Sequence, residues 1–333
     1  MWGCGAREGA DGRPGGRLVA RYVGKRLLFS VLVLFVISVL VFVAVRAIPG
    51  DVCAIVLATS DVDKQQCDAI NRELGLDKPV VTQYLSYMGG VIHGDFGTTL
   101  VSKQDVWGQI RTRIPLTLEI TMLSTVFALI LAIPIGVISA VKQDSVSDYG
   151  LRFLTIGWLS IPSFWLGTVL IVFPAKWWGY SPPVGYVDFW EDPLKNLEQL
   201  YLPAIALGLA LSASLARITR SSMLEVLRQD YIRTARAKGL RERVVVVRHG
   251  LRNSMIPVIT LFGLQVGVLF GGTVVLETIF TLPGLGSLMF NAVRIKDYSQ
   301  VQGLVLLFAF VLVTINLLVD ISYAWFDPRI RYT

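Results

Sequence analysis

The chain contains 333 residues, of which 53% are hydrophobic and 17% are charged, and its mean hydropathy is +0.59. Soluble domains carry roughly 25% charged residues, so this composition excludes an ordinary soluble protein and indicates an integral membrane protein. The net charge of +7 needs no nucleic-acid partner, because the distribution of the basic residues explains it as a topology signal.

Apolar runs recur along the chain at about 20 residues, the length that a helix needs to cross a hydrocarbon core of ~30 Å. Their number predicts an all-α integral membrane protein with six transmembrane helices. The six runs are Leu27–Val45, Ile114–Val141, Phe153–Ala175, Tyr201–Ala216, Met255–Leu276 and Val301–Val319.

The first run lies within a predicted transmembrane helix over residues 22–46. This run is too long for the apolar region of a signal peptide, and RAIPGD follows it in place of a small-residue cleavage site. We therefore expect an uncleaved helix. The Gly- and Arg-rich residues 1–21 predict a disordered cytoplasmic tail. Residues 326–333 predict a short cytoplasmic tail at the other end of the chain.

Six spans place both termini on the same side of the membrane. That side then carries 20 of the Lys and Arg residues, and the other side carries 11. The positive-inside rule assigns the richer side to the cytoplasm. The sequence therefore predicts a multi-pass membrane protein with cytoplasmic N- and C-termini.

Residues 47–113 form too long a segment for a simple connector and predict a small extracytoplasmic subdomain. Helical spacing predicts a helix over residues 63–74, the segment LDKPVVTQYLSYMGGV predicts a second helix, and GDFG predicts a turn. Cys53 and Cys67 both lie in this subdomain. Two alternatives stay open: two free thiols, or a disulfide that would stabilise the fold by on the order of 3 kcal/mol.

Residues 114–325 predict the transmembrane core, with two further external loops. Trp177, Trp178 and Tyr180 in the first of these loops favour an interfacial aromatic belt over an aromatic binding cage. The other loop has a Pro-Gly turn followed by an amphipathic stretch. It is long enough to fold back on the helices or to contact a docked partner.

Small residues recur every four positions in the fourth and fifth runs. Such spacing lets helices approach closely in lipid, either within one chain or between subunits. Gln265, in the same region, is expected either to face a polar lumen or to hydrogen-bond to another helix. The small residues are Ala206, Ala210 and Ser214 in the fourth run and Gly263, Gly267 and Gly271 in the fifth.

Three carboxylates, Glu119, Glu277 and Asp320, lie within or at the ends of the apolar runs. Ionisable residues inside membranes are costly and often functional. Because these three lie near the membrane boundaries, we expect interfacial or paired roles rather than a proton relay. We predict that Asp320 pairs with Arg217 or Arg220.

The chain lacks the motifs of common catalytic sites. No G-x-x-x-x-G-K-[ST] phosphate loop is present, so we do not expect this chain to hydrolyse ATP. The two histidines, His93 and His249, fall in loops on opposite sides of the membrane, and no H-E-x-x-H, Cys/His cluster or G-x-S-x-G motif occurs. We expect no catalytic residue, no metal site and no cofactor on this chain.

The largest internal loop, residues 217–252, contains ten Lys and Arg residues and predicts a short helix. Asp230 is a suitable N-cap, and Gly239 is a suitable residue to end the helix. Arg236 and Lys238 would stabilise its negative end electrostatically. A helix of about two turns is marginal alone, so we expect a docked partner to hold it.

Two interpretations of this loop compete. A basic cluster beside a membrane attracts anionic lipid. The caps and the small residues favour protein docking instead, since Ala235, Ala237 and Gly239 would let another backbone approach closely, and lipid attraction requires none of them. The residues predicted to share one face are Tyr231, Thr234, Ala235 and Lys238.

The segment DYIRTARAKGL…RHGLRNSMIP resembles the cytoplasmic coupling loop of ABC importer permeases of the dipeptide/oligopeptide family. The general E-A-A-x-x-x-G signature of such loops aligns with Arg233, Thr234, Ala235 and Gly239. Arg and Thr replace the first two letters, which resembles the version of the peptide subfamily. The resemblance extends from about Tyr22 onward through RAIPGD, GDFGTTL, RIPLTLEIT, LETIFTLPGLG and NLLVDISYAWFDPRIRY.

This resemblance implies the type I ABC importer permease fold in a bacterial inner membrane. It also implies a heterodimer with a second permease, two cytoplasmic ATPases that bind ATP and Mg²⁺, and an extracytoplasmic binding protein that delivers short peptides. The residues implied to couple the permease to the ATPases are Asp230, Tyr231, Arg233, Thr234, Ala235, Arg236, Ala237, Lys238, Gly239 and Leu240.

Other functions stay open at this point. The same assembly can import another small solute, such as a nickel complex. A secondary transporter would need no ATPase, but the chain lacks a network of charges within its spans. An intramembrane enzyme would need a nucleophile or metal constellation that the sequence does not show.

Overall fold

The structure is a computed structural model that describes the chain in three parts. The predicted helix over residues 63–74 lies outside the described residues, and so do Cys53 and Cys67, whose disulfide stays a prediction. The described residues are 14–47, 77–99 and 102–326, with side chains in 23–47, 77–99 and 102–321.

The described residues are almost entirely helical, and the one β contact among them is an isolated bridge between Thr98 and Asp105. The helices are α1 Pro14–Ala47, α2 Val80–Ile92, α3 Val106–Val141, α4 Val146–Ser160, α5 Ser163–Trp178, α6 Pro193–Leu227, α7 Asp230–Ala237, α8 Glu242–Val244, a π-helix Val245–Leu251, α9 Arg252–Ile279, α10 Leu285–Arg294 and α11 Tyr298–Phe326.

The prediction of an all-α membrane protein is confirmed. Five segments in the described part are long and apolar enough to cross a membrane, and α4 with α5 gives a sixth if that pair is one span. The five are Val23–Ala47, Val106–Val141, Pro193–Leu227, Glu242–Ile279 and Tyr298–Ile321.

The third predicted span, Phe153–Ala175, is not one continuous helix. The chain bends by 96° between α4 and α5. Pro162 lacks a backbone N–H and disfavours helical geometry at the residue before it, and Ile161 is accordingly extended, with φ −92° and ψ 120°. The high hydropathy of the run predicted one span, although Pro162 within it favours a break in the helix.

Side-chain caps lengthen two other spans beyond their apolar runs. Asp105 accepts a hydrogen bond from the Gly108 N–H at 2.6 Å, so α3 begins eight residues before the predicted boundary at 114. Asp192 accepts from the Lys195 N–H at 3.1 Å, and a proline occupies the first turn of α6.

The most extensive helix contact among the described residues lies between α3 and α6. A Cβ atom added at Gly136 would lie 2.5 Å from Cβ of Thr219, and one at Gly208 would lie 2.8 Å from the carbonyl oxygen of Ser124. The two backbones therefore approach each other at two levels. Apolar side chains of α9 complete the main core beside this pair, notably Val258, Leu269 and Leu276.

The segments predicted to be external pack against this bundle. The Tyr84 hydroxyl of α2 is 2.7 Å from the Ser38 hydroxyl of α1, and the Tyr84 ring meets Phe42 edge-on at 5.2 Å. The amphipathic stretch predicted in the third external loop is α10. It buries Leu285 and Leu288 against the ends of α3 and α11.

Two of the three small residues of α9 pack within the chain. A Cβ at Gly263 would lie 2.0 Å from Cγ2 of Val319, and one at Gly267 would lie 3.5 Å from Cγ of Leu312, so both glycines face α11. Gly271 is exposed, with nothing within 4 Å of an added Cβ. In α6, Ala206 is fully buried, whereas Ala210 and Ser214 are half-buried.

The pairing predicted for Asp320 is wrong. Its carboxylate lies 3.1 Å from the guanidinium of Arg26, on α1. Arg220 instead pairs with Asp148, on α4. The end of α11 packs beside α1 and not beside α6, and helical periodicity within a single run gives no information about which helices are neighbours.

Gly263→Ala should lower the thermal stability of the purified protein, whereas Gly271→Ala should not. A Cβ at 263 collides with the stiff, β-branched Val319, and overpacking of this kind costs about 1–3 kcal/mol. Thermal unfolding in detergent, followed by circular dichroism, measures both variants. Equal midpoints would contradict the packing of α9 against α11.

Candidate coupling site

The site predicted from sequence lies on α7, which follows α6 after two residues. Asp230 is not the N-cap. Gln229 occupies the cap position, with extended backbone and no side-chain cap bond. Asp230 is the first helical residue, and its carboxylate lies 3.4 Å from Arg233. Because Asp230 lies inside the helix rather than at the cap position, its carboxylate does not accept a hydrogen bond from the backbone N–H groups of the first turn.

The other end of α7 has the predicted glycine cap. Gly239 has φ +74°, in the left-handed region that residues with a Cβ rarely adopt. The Gly239 N–H donates to the Arg236 carbonyl at 2.9 Å, and the Leu240 N–H donates to the Ala235 carbonyl at 3.4 Å. This pattern is a Schellman motif, which satisfies the last carbonyls of the helix.

An ion pair holds the turn after α7. Arg236 donates to both carboxylate oxygens of Glu242, at 2.7 and 3.2 Å. Glu242 begins α8, so the pair connects the last turn of α7 to the segment that leads into the π-helix. Such a two-point contact fixes orientation as well as distance.

The inner face of α7 is apolar and contacts the same chain. Ile232 is fully buried and Ala235 is 8% exposed, and both pack against Leu227 and Val245. We call the surface formed by Leu227 and Val245 the α7 seat. Ala235 therefore does not share an outward face with the other residues predicted there, because its side chain points to the seat.

The outer face of α7 is polar and exposed. Tyr231 is partly exposed, and its hydroxyl accepts from the Asn253 side chain at 3.0 Å. The remaining predicted coupling residues are also exposed: Asp230, Arg233, Thr234, Arg236, Ala237, Lys238, Gly239 and Leu240.

The π-helix connects the seat to α9. Its Val245 and Val246 are buried, and a Cβ added at Gly250 would lie 3.2 Å from Cε of Met223, on α6. The π-helix therefore packs on the end of α6 while it leads directly into α9. Through the seat, α7 contacts the end of α6 at Leu227 and, at Val245, the π-helix that precedes α9.

A second cluster at this end was not anticipated from sequence. Asp148 is fully buried, and it pairs with Arg220 of α6 at 2.7 Å. The Ser139 hydroxyl of α3 donates to the same carboxylate. The sequence does contain an S-x-x-D capping pattern at Ser145 and Asp148. In the structure Ser145 accepts a hydrogen bond from the Asp148 N–H at 3.3 Å. That pattern predicts the start of α4 but not its distant partners.

The buried Glu277 joins three elements at the opposite end of the bundle. It accepts from the Thr117 hydroxyl of α3 at 2.8 Å and from the Ser287 N–H of α10 at 2.9 Å. Thr117 accepts in turn from the Leu285 N–H at 2.9 Å. A Cβ at Gly284 would lie 2.4 Å from Cδ of Glu277, so a glycine is needed for this approach.

Glu119 is also paired at that end. It accepts from the Tyr186 hydroxyl at 3.0 Å and from the Asn196 side chain at 2.8 Å. Burial, and then the neighbouring Asp188 and Glu119, raise the pKa of Tyr186, so its hydroxyl stays a donor. These contacts give both glutamates paired roles.

Two other features of the described residues bear on ligands. The side-chain oxygen of Gln265 is buried without a hydrogen-bond partner there, so a helix–helix hydrogen bond to that oxygen is not formed in this part of the chain. No group of three His, Cys, Asp or Glu side chains in the described segments is arranged to hold a metal ion.

Comparison with known proteins identifies the family. Residues 132–332 match the family described as binding-protein-dependent transport system inner membrane component, and residues 19–121 match its N-terminal region. The glutathione transport system permease protein GsiC of Escherichia coli strain K12 is 42% identical over 311 residues, which cover 93% of this chain and 99% of that protein.

A second relative and a solved structure agree. The di/tripeptide transport system permease protein DppB of Pseudomonas aeruginosa strain UCBPP-PA14 is 40% identical over 332 residues, with 93% of this chain and 98% of that protein covered. The inward-facing MetNI methionine ABC transporter matches with a TM-score of 0.52 at 20% identity, over 65% of this chain and 96% of that one. At this identity the likeness shows the fold alone. The resemblance stated from sequence is thus confirmed, and the chain belongs to the family of multi-pass inner-membrane permease components of binding-protein-dependent ABC importers.

Proposed function

We propose that the chain is the permease subunit of an ATP-driven importer of short peptides, and that α7 couples it to the ATPases. The substrate class rests on the names of its relatives, which transport glutathione, itself a tripeptide, and di- or tripeptides. The geometry of α7 supports the coupling role. Its outer face is polar and exposed, its inner face is apolar and packs against the same chain, and its C-terminal end is capped.

The proposed assembly supplies what this chain lacks. Two cytoplasmic ATPases bind ATP and Mg²⁺, since the chain has no phosphate loop. A different second permease completes a heterodimeric pathway, and an extracytoplasmic binding protein delivers the peptide. The ten basic residues of the loop over residues 217–252 support a cytoplasmic location for α7 and for both termini.

The coupling route follows the contacts of α7. The exposed polar face docks on an ATPase, and ATP binding moves the docked surface. Ile232 and Ala235 transmit this displacement to the α7 seat, from which it reaches α6 and α9. Such rigid-body movement between two discrete arrangements opens the pathway alternately to each side.

Reconstitution tests the proposal. The chain would be produced with the second permease, the ATPases and the binding protein encoded beside it, and the complex placed in proteoliposomes. We expect ATP-dependent uptake of labelled dipeptides, tripeptides or glutathione. Uptake without ATP, or purification without any ATPase, would refute the importer role. ATP-dependent uptake of a nickel complex without uptake of any peptide would support an ATP-driven importer but refute peptides as its substrate class.

Gly239→Val should uncouple ATP hydrolysis from transport. Valine is strongly disfavoured at φ +74°, so the Schellman motif and the end of α7 must rearrange. Because coupling free energies are typically 1–3 kcal/mol, transport per ATP should fall roughly tenfold. The matched control is Gly185→Val, which has φ +96° and equally open space in an external loop. Equal losses in both variants would show that the end of α7 has no special role.

Ile232→Ala should loosen α7 without unfolding the bundle. Removing this buried side chain from the seat costs about 2–5 kcal/mol locally. Hydrogen–deuterium exchange should therefore quicken at residues 230–240 and stay slow in α3 and α6. Arg233→Ala, at an exposed position of the same helix, is the control and should leave exchange unchanged. Unchanged protection in Ile232→Ala would mean that the seat does not hold α7.

A further inference from the structure

A buried ion pair joins three helices near α7. Asp148 of α4 is fully buried, and Arg220 of α6 is 20% exposed. The guanidinium donates twice to the carboxylate, at 2.7 Å from Nη2 to Oδ2 and at 3.0 Å from Nε to Oδ1. Ser139 of α3 donates to Oδ1 and accepts from Arg220 Nε at 3.0 Å. The two-point geometry sets one relative orientation of these helices.

Stability alone does not account for this cluster. Buried ion pairs contribute little net stability compared with apolar side chains of similar volume, because both charges lose their hydration. Both oxygens of Asp148 are nevertheless fully used, since Oδ2 also accepts from the Asp144 N–H at 3.1 Å. The cluster instead sets the relative position of the helices, at the place where α3 ends, α4 begins and Arg220 of α6 contacts both.

Along α6, Arg220 lies between the end that leads into α7 and the rest of the helix. Arg220 precedes Asp230, the first residue of α7, by ten positions along the chain. Beside it, Thr219 fills the space over Gly136, where α3 and α6 make backbone-level contact. A displacement that enters α6 from α7 reaches this level before it reaches the opposite end of the helix.

We propose that Asp148 and Arg220 are a positioning pair for transport. They bind α3 and α4 to α6, so that a displacement of α7 moves the three helices together. Without the pair, α6 moves past α3 and α4, and ATP hydrolysis proceeds without opening the pathway. This inference rests on the proposed function, in which α7 receives the ATP-driven movement.

A contact at the opposite end leads to a second consequence. Glu119 of α3 accepts from Asn196 of α6 at 2.8 Å, so polar contacts join the same two helices near both ends. The α3–α6 pair should therefore keep its geometry in the ATP-free and ATP-bound states. Spin labels at Ile138 and Arg217, both exposed, would report their separation by electron paramagnetic resonance.

The principal experiment compares variants of the complete complex in proteoliposomes. Asp148→Asn and Arg220→Gln should each raise the ATP hydrolysed per substrate transported by roughly tenfold. The double variant should show no larger effect, because the pair acts as a unit. Arg220→Lys should be intermediate, since lysine keeps the charge but not the two-point contact.

A second ion pair provides the matched control. Arg26 and Asp320 join α1 to α11 at 3.1 Å and involve none of the three helices of the cluster. Asp320→Asn should leave the ratio of ATP to substrate at the wild-type value. An equal increase in Asp320→Asn would show that loss of any ion pair uncouples the complex, and it would overturn the proposal.

The outcomes separate this proposal from the proposed function. Absence of ATP-dependent transport in the wild-type complex would refute the function itself. Wild-type coupling ratios in Asp148→Asn and Arg220→Gln, with only the yield of complex reduced, would show a merely structural pair and overturn the inference. If neither variant assembles, Arg220→Lys and the spin-label distance decide. A wild-type ratio in that variant, or an ATP-dependent change of several ångströms between the labels, would overturn it.

Discussion

The close approach of α3 and α6 is the contact around which the other helices are arranged. Lipid offers little hydrophobic driving force for helix association, so backbone proximity and polar contacts must supply it. Gly136 and Gly208 permit that proximity at two levels. Polar side chains then extend it: Glu119 toward the loop between α5 and α6, Thr117 toward α9 and α10, and Ser139 toward α4.

The charged groups of this protein follow the same rule, because a charge buried in lipid must be satisfied by polar contacts between helices. Carboxylates that the spans bury, such as Asp148 and Glu277, are saturated with hydrogen bonds from two or more helices. On α7, exposed charges pair with near neighbours in the chain: Arg233 with Asp230, and Arg236 with Glu242. Buried charges therefore define the internal geometry, whereas those of α7 stay exposed at the surface.

The sequence was sufficient for properties that depend on local composition. Apolar runs predicted the membrane class and the spans, and the glycine at 239 predicted the end of α7. What it missed depends on neighbours in space. The partners of Asp148 and Asp320 lie on helices distant in the chain, and Ala235 turned inward because Val245 lies beneath it. Pro162 by itself indicates a break in the helix, but a hydropathy average over about 20 residues does not reveal a single proline.

The backbone conformation at Gly239 also has a genetic consequence. Every single-base change in a glycine codon that encodes another amino acid introduces a side chain with a Cβ, and at φ +74° that side chain is strained. Asparagine and aspartate tolerate this conformation comparatively well, but asparagine requires two base changes, and aspartate is one base change away from only two of the four glycine codons. Few single-base changes at Gly239 therefore keep the end of α7 unstrained, and variation in this permease should accumulate on the exposed helical residues before it.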